Sequence, residues 1–323
     1  MLTDNFGRKF YYLRLSITDV CNFRCNYCLP NGYQCSNDRQ FLSLAEIQRI
    51  ANAFAQMGTE KIRITGGEPS LRKDLPDILA ACKNTPNIKH LALTSNGYKL
   101  PEYINLWQDA GLDSLNISID SLDPRQFHAI TGHNKLPHIL KGIDLALAYG
   151  NTAIKINTVL MREYNGYDIQ TFLDFLKDTP VTLRFIELMQ TGDNEVFFKS
   201  QHLQGASIKQ RLLSSGWTPT LRHKASGPAE EFYHPDYQGK IGLIMPYSKD
   251  FCVTCNRLRV SALGKLHLCL FGEQGLSLRD NLQSNDVAPL KAQIASLLSN
   301  KEATHFLHDK LTGATTNLAM LGG

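Results

Sequence analysis

Nothing in this 323-residue chain approaches the ~18 consecutive apolar residues that a membrane span needs. No block of lysine and arginine marks a nucleic-acid-binding arm. The opening stretch, Met1 to Phe10, carries Asp4 and lacks the apolar run of a secretory signal. Low-complexity tracts and close repeats are also missing. These absences set the expectation of a cytoplasmic globular protein with neither nucleic acid nor membrane as partner. The formal charge of +4 is too weak a bias to name an anionic ligand by itself.

Cysteine, by contrast, is plentiful. Eight cysteines without a secretory signal point away from a disulfide framework and towards metal ligation. Cys21, Cys25, Cys28 and Cys35 crowd near the start, Cys252, Cys255 and Cys269 near the end, and Cys82 stands alone. Cys82 falls on an amphipathic helical pattern and reads as a small core residue. Cys35 reads as a loop thiol.

Strand-like and helix-like patterns alternate along the first two-thirds of the chain. Strands are expected at Tyr11–Thr18, Lys61–Thr65, His90–Ser95, Leu115–Ile119, Ala153–Leu160 and Thr182–Leu188. Ser43 and Glu46 make a capping-box signature ahead of Leu44, Ile47, Ile50, Phe54 and Met57 at helical spacing. Further helices are expected near Asp74–Cys82, Pro101–Ala110, Leu136–Tyr149 and Ile169–Lys177. Six strand–helix units argue for a parallel α/β fold, either a doubly wound sheet or a barrel. Polar residues at the strand C-termini (Thr65 to Glu68, Thr94 to Gly97, Ser118 to Asp120, Glu187 to Met189) favour a barrel, whose sites lie on that rim. The expectation is an incomplete (β/α)6 TIM-type barrel over residues 1–222. A C-terminal cluster-binding extension of short strands follows over 223–323, after the loop from His223 to Pro228.

The strongest motif is Cys21-Asn22-Phe23-Arg24-Cys25-Asn26-Tyr27-Cys28 on the loop after the first strand. A cubane iron–sulfur cluster takes one thiolate per iron, so three thiolates leave one iron open for a small chelating molecule. A zinc site of these three cysteines, or of four with Cys35, is the alternative. Cys252-Val253-Thr254-Cys255 and, after thirteen intervening residues, Cys269 form a second triplet, where zinc is a stronger rival because C-x2-C is a common zinc half-site. In an extended Asn256-Arg257-Leu258-Arg259, the two arginines share a face beside that triplet, a geometry suited to a polyphosphate.

The first cysteine loop, with Tyr27 before its last cysteine and Gly66-Gly67-Glu68-Pro69 after the second strand, resembles the radical SAM superfamily. The loop's glycines allow close backbone approach, and Glu68 can receive an ammonium group. Taken with Leu13 to Thr18, Leu93 to Gly97, Asn116 to Leu122, Lys155 to Asn157, Arg184 to Met189, Phe251 to Arg259 and the terminal Gly322-Gly323, the set closely resembles the GTP 3′,8-cyclase family of molybdenum cofactor biosynthesis. Ser70, Leu263 and Leu321 are small departures from that family's pattern.

The resemblance implies two [4Fe-4S] clusters, held by Cys21, Cys25 and Cys28 and by Cys252, Cys255 and Cys269. It implies that Tyr27, Gly67, Ser118 and Met189 contact S-adenosylmethionine, and that Arg14, Arg63, Thr94, Lys155, Arg257, Leu258 and Arg259 contact GTP. Arg14, Arg257, Arg259 and the Gly322-Gly323 tail are implied at the catalytic centre. Also implied are a homodimer, a low-potential electron donor, and a next enzyme, cyclic pyranopterin monophosphate synthase. Two rivals remain at this point. A peptide-modifying radical enzyme typically has more C-terminal cysteines, and a two-cluster electron carrier needs four thiolates per cluster.

Overall fold

Strict alternation of apolar and polar side chains builds the sheet. The computed structural model describes residues 1–34, 40–166, 169–222, 224, 226–272 and 274–322. Its first six strands are β1 (Tyr12–Ser16), β2 (Lys61–Thr65), β3 (His90–Ser95), β4 (Ser114–Ser118), β5 (Ala153–Leu160) and β6 (Thr182–Glu187). They lie side by side in chain order, every pair parallel. Helices α1 (Leu44–Gln56), α2 (Leu75–Lys83), α3 (Leu100–Asp109), α4 (Pro124–Thr131), α5 (Leu136–Tyr149) and α6 (Gln170–Asp178) make the crossovers that parallel pairing requires. The sequence pattern misses α4, although Asp123 caps it by accepting from the Arg125 and Gln126 amides at 2.8 and 2.9 Å.

Beyond β6 come α7 (Glu195–Gln201), α8 (Ala206–Ser214), β7 (Thr218–Pro219), β8 (Glu230–Tyr233), β9 (Lys240–Ile244), β10 (Arg257–Val260), β11 (Lys265–His267), β12 (Leu276–Ser277) and α9 (Ala288–Leu298). Two of these strands join the sheet rather than standing apart from it. β9 pairs parallel with β6, and β10 pairs parallel with β1. The parallel run is therefore β10-β1-β2-β3-β4-β5-β6-β9, two strands longer than expected. No helix separates β9 from β10 or β10 from β11, so the strand–helix period that reveals β1 to β6 is lost there. Antiparallel β8-β7 and β11-β12 finish the two edges, and the barrel stays incomplete. Among the described residues no helix is long and apolar enough to cross a membrane.

Register carries one face unbroken across the sheet. Val260, Leu258, Leu13, Leu15, Ile62, Ile64, Leu91, Leu93, Leu115, Ile117, Ile154, Ile156, Leu183, Phe185, Ile241 and Leu243 all lie on the helix side, in one core with Ile47, Ile50 and Phe54 of α1 and Trp107 of α3. Cys82 is buried in that core, as its helical spacing suggests. α1 is set by the capping box: Ser43 Oγ accepts from the Glu46 amide at 3.3 Å, and Glu46 accepts from the Ser43 amide at 2.8 Å. Arg279 pairs with the same carboxylate at 3.0 Å, tying the helix to the C-terminal segment. Replacing Ser43 by alanine should lower the unfolding free energy by about 1 kcal/mol in chemical denaturation. Glu46→Ala should cost more, because it removes the cap and the Arg279 pair together.

Candidate active site

The opposite face of the same strands is polar and looks into the barrel. Register aligns Arg257 with Tyr12 and Lys61, and Arg259 with Arg14 and Arg63. Thr94 aligns with Asn116, Asn116 with Lys155, and Asn157 with Arg184. Five arginines and two lysines thus face one lumen: Arg14, Lys61, Arg63, Lys155, Arg184, Arg257 and Arg259. Burial, followed by the charges of its neighbours, lowers Lys155 to about 7 and Lys61 to about 8. The partly compensating carboxylate is Glu231, 2.8 Å from Arg184 and 3.7 Å from Lys155. It stands opposite Gly242 on β9, where a side chain would press on Arg184. Asn116 Oδ1, Asn157 Oδ1 and Arg184 Nε are buried here without a hydrogen-bond partner, an arrangement that calls for a polar ligand.

The end of the chain enters this lumen. Arg14 donates to the carbonyl of Gly322, which Thr65 Oγ1 also approaches at 3.4 Å, and Arg259 donates to the carbonyl of Leu321 at 3.4 Å. Gly322 has φ +62°, and a Cβ there would lie 2.1 Å from Thr65 Oγ1, so glycine is required on both counts. Gly323 lies outside the described residues.

The first cysteine loop sits over the C-terminal ends of the strands. The Cys25 carbonyl accepts from the Cys28 and Leu29 amides at 3.0 and 2.9 Å, closing a turn, and the three thiols lie near enough to feel one another's charge. Burial raises Cys21 to about 11 and Cys28 to about 12, and raises Cys25 too, with Asp120 adding to the effect at Cys25. Binding a metal would release those protons. Asn22 Nδ2 and Asn26 Oδ1 are buried in the loop without partners, as fits a loop that wraps a bound group. The expected S-adenosylmethionine residues gather around it. Tyr27 donates to Asp120 Oδ2 at 3.0 Å, just after Ser118, and Asn194 Nδ2 bridges the Tyr27 and Met189 carbonyls at 3.3 and 3.0 Å. A Cβ on Gly67 would fall 2.4 Å from the Val20 carbonyl, so the glycine lets the two loops touch. Glu68 differs from expectation. It is fully buried and accepts from Ser70 N (2.9 Å), Ser95 Oγ (2.8 Å) and Asn96 N (2.6 Å), so it braces β2 against β3.

The second triplet opens on the cavity that Arg14, Arg63, Arg184, Arg257, Arg259 and Met189 also line. Its electrostatics are opposite to those of the first. Burial raises both thiols, but hydrogen bonding to His305 brings Cys252 down to about 7, and Arg257, Lys301 and Arg8 lower Cys255. His305 is oriented by donating to the Pro246 carbonyl at 2.9 Å, and Arg8 holds the loop by donating to the Cys252 carbonyl at 3.2 Å. Cys25, Cys28 and Cys269 pack on one small apolar cluster containing Leu188, Leu270, Phe271 and Leu321. The three thiols of the first loop suit a cluster with one open iron; the second donor set is assembled from two segments, Cys252 and Cys255 before β10 and Cys269 after β11. Among the described residues no three Cys, His, Asp or Glu side chains converge as a single-ion site.

Of the residues expected to meet GTP, Arg14, Arg63, Arg257 and Arg259 come together, and Thr94 joins them by accepting from Arg63 at 3.1 Å. Lys155 lies in the ion pair with Glu231. Leu258 is the exception: register turns its side chain into the outer core against Leu13, so only its backbone borders the lumen. Cys35 lies outside the described residues. Sequence reasoning missed Tyr12, Lys61, Arg184, Glu231, Asn194, Lys301 and His305. Alternation would have found the first two, because each sits on a strand at the same parity as an expected residue, Arg14 or Arg63. Long-range pairing alone reveals the others.

Residues 15–176 match the family described as the radical SAM superfamily, and residues 181–307 match Molybdenum Cofactor Synthesis C. The GTP 3′,8-cyclase of Pectobacterium atrosepticum is 58% identical over all of this chain and 99% of its own length, and that of Yersinia pestis is 57% identical over the same shares. Among solved structures, Streptococcus suis SuiB bound to S-adenosylmethionine matches with a TM-score of 0.63 over 89% of this chain and 68% of its own. At 14% identity that likeness shows the fold alone. Three cysteines on the rim of a partial barrel, a cation-lined lumen and end-to-end identity above one-half converge: the chain belongs to the radical SAM superfamily and, within it, to the GTP 3′,8-cyclase family.

Proposed function

We propose that the chain converts GTP to (8S)-3′,8-cyclo-7,8-dihydroguanosine 5′-triphosphate, the first step of molybdenum cofactor biosynthesis. The observation that carries this reading is the single cavity shared by the lumen arginines, Met189 and the second cysteine triplet. Superfamily membership brings a [4Fe-4S] cluster and S-adenosylmethionine. A second [4Fe-4S] cluster at Cys252, Cys255 and Cys269 is part of the proposal, as are a homodimer, a low-potential electron donor and delivery of product to cyclic pyranopterin monophosphate synthase.

When bound, the first cluster and S-adenosylmethionine supply a 5′-deoxyadenosyl radical able to take the 3′ hydrogen of a ribose. The protein's own work is orientation and exclusion of water. Arg14, Arg63, Arg257 and Arg259 grip the triphosphate through charge-assisted hydrogen bonds, and Lys155 and Arg184 extend the grip. Loading phosphate into the lumen relieves the mutual repulsion that depresses Lys61 and Lys155. Tyr27, Gly67, Ser118 and Met189 shape the S-adenosylmethionine side. The apolar cluster shared by both cysteine loops keeps the intervening space dry.

Anaerobic reconstitution tests the reading. Roughly eight irons per chain are expected, falling by about half in Cys21→Ala or Cys252→Ala. Incubation with GTP, S-adenosylmethionine and dithionite should yield a product isomeric with GTP by mass, and none in either variant. Zinc at the second triplet, or S-adenosylmethionine cleavage that leaves GTP unchanged, would contradict it.

Gly322 provides a sharper check. Gly322→Val cannot keep the tail against Thr65, because a Cβ there would lie 2.1 Å from Thr65 Oγ1. Iron content and GTP binding should persist while product formation falls roughly tenfold or more, since a tail that orients the reacting groups acts on the barrier. Turnover and GTP affinity at matched iron content measure both.

A further inference from the structure

Tyr12 lies at the centre of the cation cluster, buried, with its hydroxyl accepting from Arg63 Nε and its ring beneath two cations. Lys61 Nζ is 5.1 Å from the ring centroid and Arg63 Cζ 5.9 Å from it. Arg14, two residues along the same strand, hydrogen-bonds to the same phenol. The register that lines up the cations also fixes Tyr12 between Arg257 on β10 and Lys61 on β2. Arg259 and Arg184 feel its charge from β10 and β6, and Glu231 on β8 is taken up by Arg184 and Lys155.

We propose that Tyr12 is the resident counter-anion of the empty lumen, a positioning residue that holds Arg14 and Arg63 in place as a phenolate and yields them, taking a proton, when a polyphosphate binds. The inference rests on the reading that the lumen receives the triphosphate of GTP. Burial alone would raise the phenol, but Arg63, Arg14 and Lys61 outweigh it and bring it to about 6. Phosphate oxygens would compete for those same cations and add negative charge beside the phenol, returning it towards its ordinary value of about 10.

The sign follows. Between about 6 and about 10 the free protein carries a phenolate and the complex a phenol, so binding takes up a proton. Affinity for polyphosphate therefore falls as pH rises through that window, by up to about tenfold per pH unit from this group. Lys61 and Lys155, depressed in the empty lumen, take up protons on binding too, with the same sign. Only the difference between the wild type and a phenol-free variant isolates Tyr12.

The experiment is calorimetric titration of the cluster-loaded protein and of Tyr12→Phe with GTP and with inorganic tripolyphosphate. It is run near pH 8 in buffers of differing ionisation enthalpy. The wild type should take up about one proton more per ligand than Tyr12→Phe, which should bind both ligands more tightly at high pH and lose part of the pH slope. Equal proton counts in the two proteins would overturn the proposal. Should Tyr12→Phe fail to fold, the tyrosinate band of the wild type decides: it should diminish when tripolyphosphate is added, and an unchanged band would overturn the proposal. Proton uptake with tripolyphosphate but no binding of GTP would sustain Tyr12 and remove the GTP reading instead.

Discussion

Seven cations gathered in one lumen, three of them buried and four half-buried, are the constraint around which this molecule is arranged. Each loses hydration on burial, and each repels the rest, which is why Lys155 and Lys61 hold their protons less firmly than a surface lysine. Among the described residues, Glu231, the phenol of Tyr12 and the tail carbonyls at Arg14 and Arg259 offset part of this. The compensation comes from the other side of the same strands. There the unbroken apolar register packs on the helices, each fully buried aliphatic side chain contributing about 1.5–3 kcal/mol. Stability is thus supplied on one face and held in tension on the other, and a polyanion releases that tension.

The two cysteine loops differ in the charge around them. Burial and the Asp120 carboxylate keep the first set of thiols protonated, whereas His305, Arg257, Lys301 and Arg8 favour thiolate at the second. They nonetheless share one apolar cluster, so a ligand between them is bounded by sulfur, hydrocarbon and guanidinium. Reactive intermediates survive only where water is kept out, and an apolar boundary serves that end.

Much of this was legible in the sequence. Period-two alternation gave β1 to β6 close to their observed ends, and Ser43 with Glu46 gave the start of α1. The cysteine spacings gave both loops. β9 and β10 were legible as strands but not as barrel strands, because parallel pairing without an intervening helix leaves no local trace. Glu231 was invisible for a related reason: it matters only because β8 lies beside Gly242, which opens a way to Arg184. Leu258 is a different case. Motif resemblance placed it at the substrate, whereas the parity of its own strand puts its side chain in the core.

That parity offers the most direct test of the whole arrangement, through two neighbouring residues of β10. Chemical denaturation and GTP titration of Leu258→Ala and Arg259→Ala, side by side, separate the two faces. Leu258→Ala should lose about 2–5 kcal/mol of stability and keep its GTP affinity. Arg259→Ala should keep or gain stability and bind GTP roughly ten- to a hundredfold more weakly. The reverse pattern, with Leu258 governing affinity and Arg259 governing stability, would contradict a barrel that stores its charge on one face and its cohesion on the other.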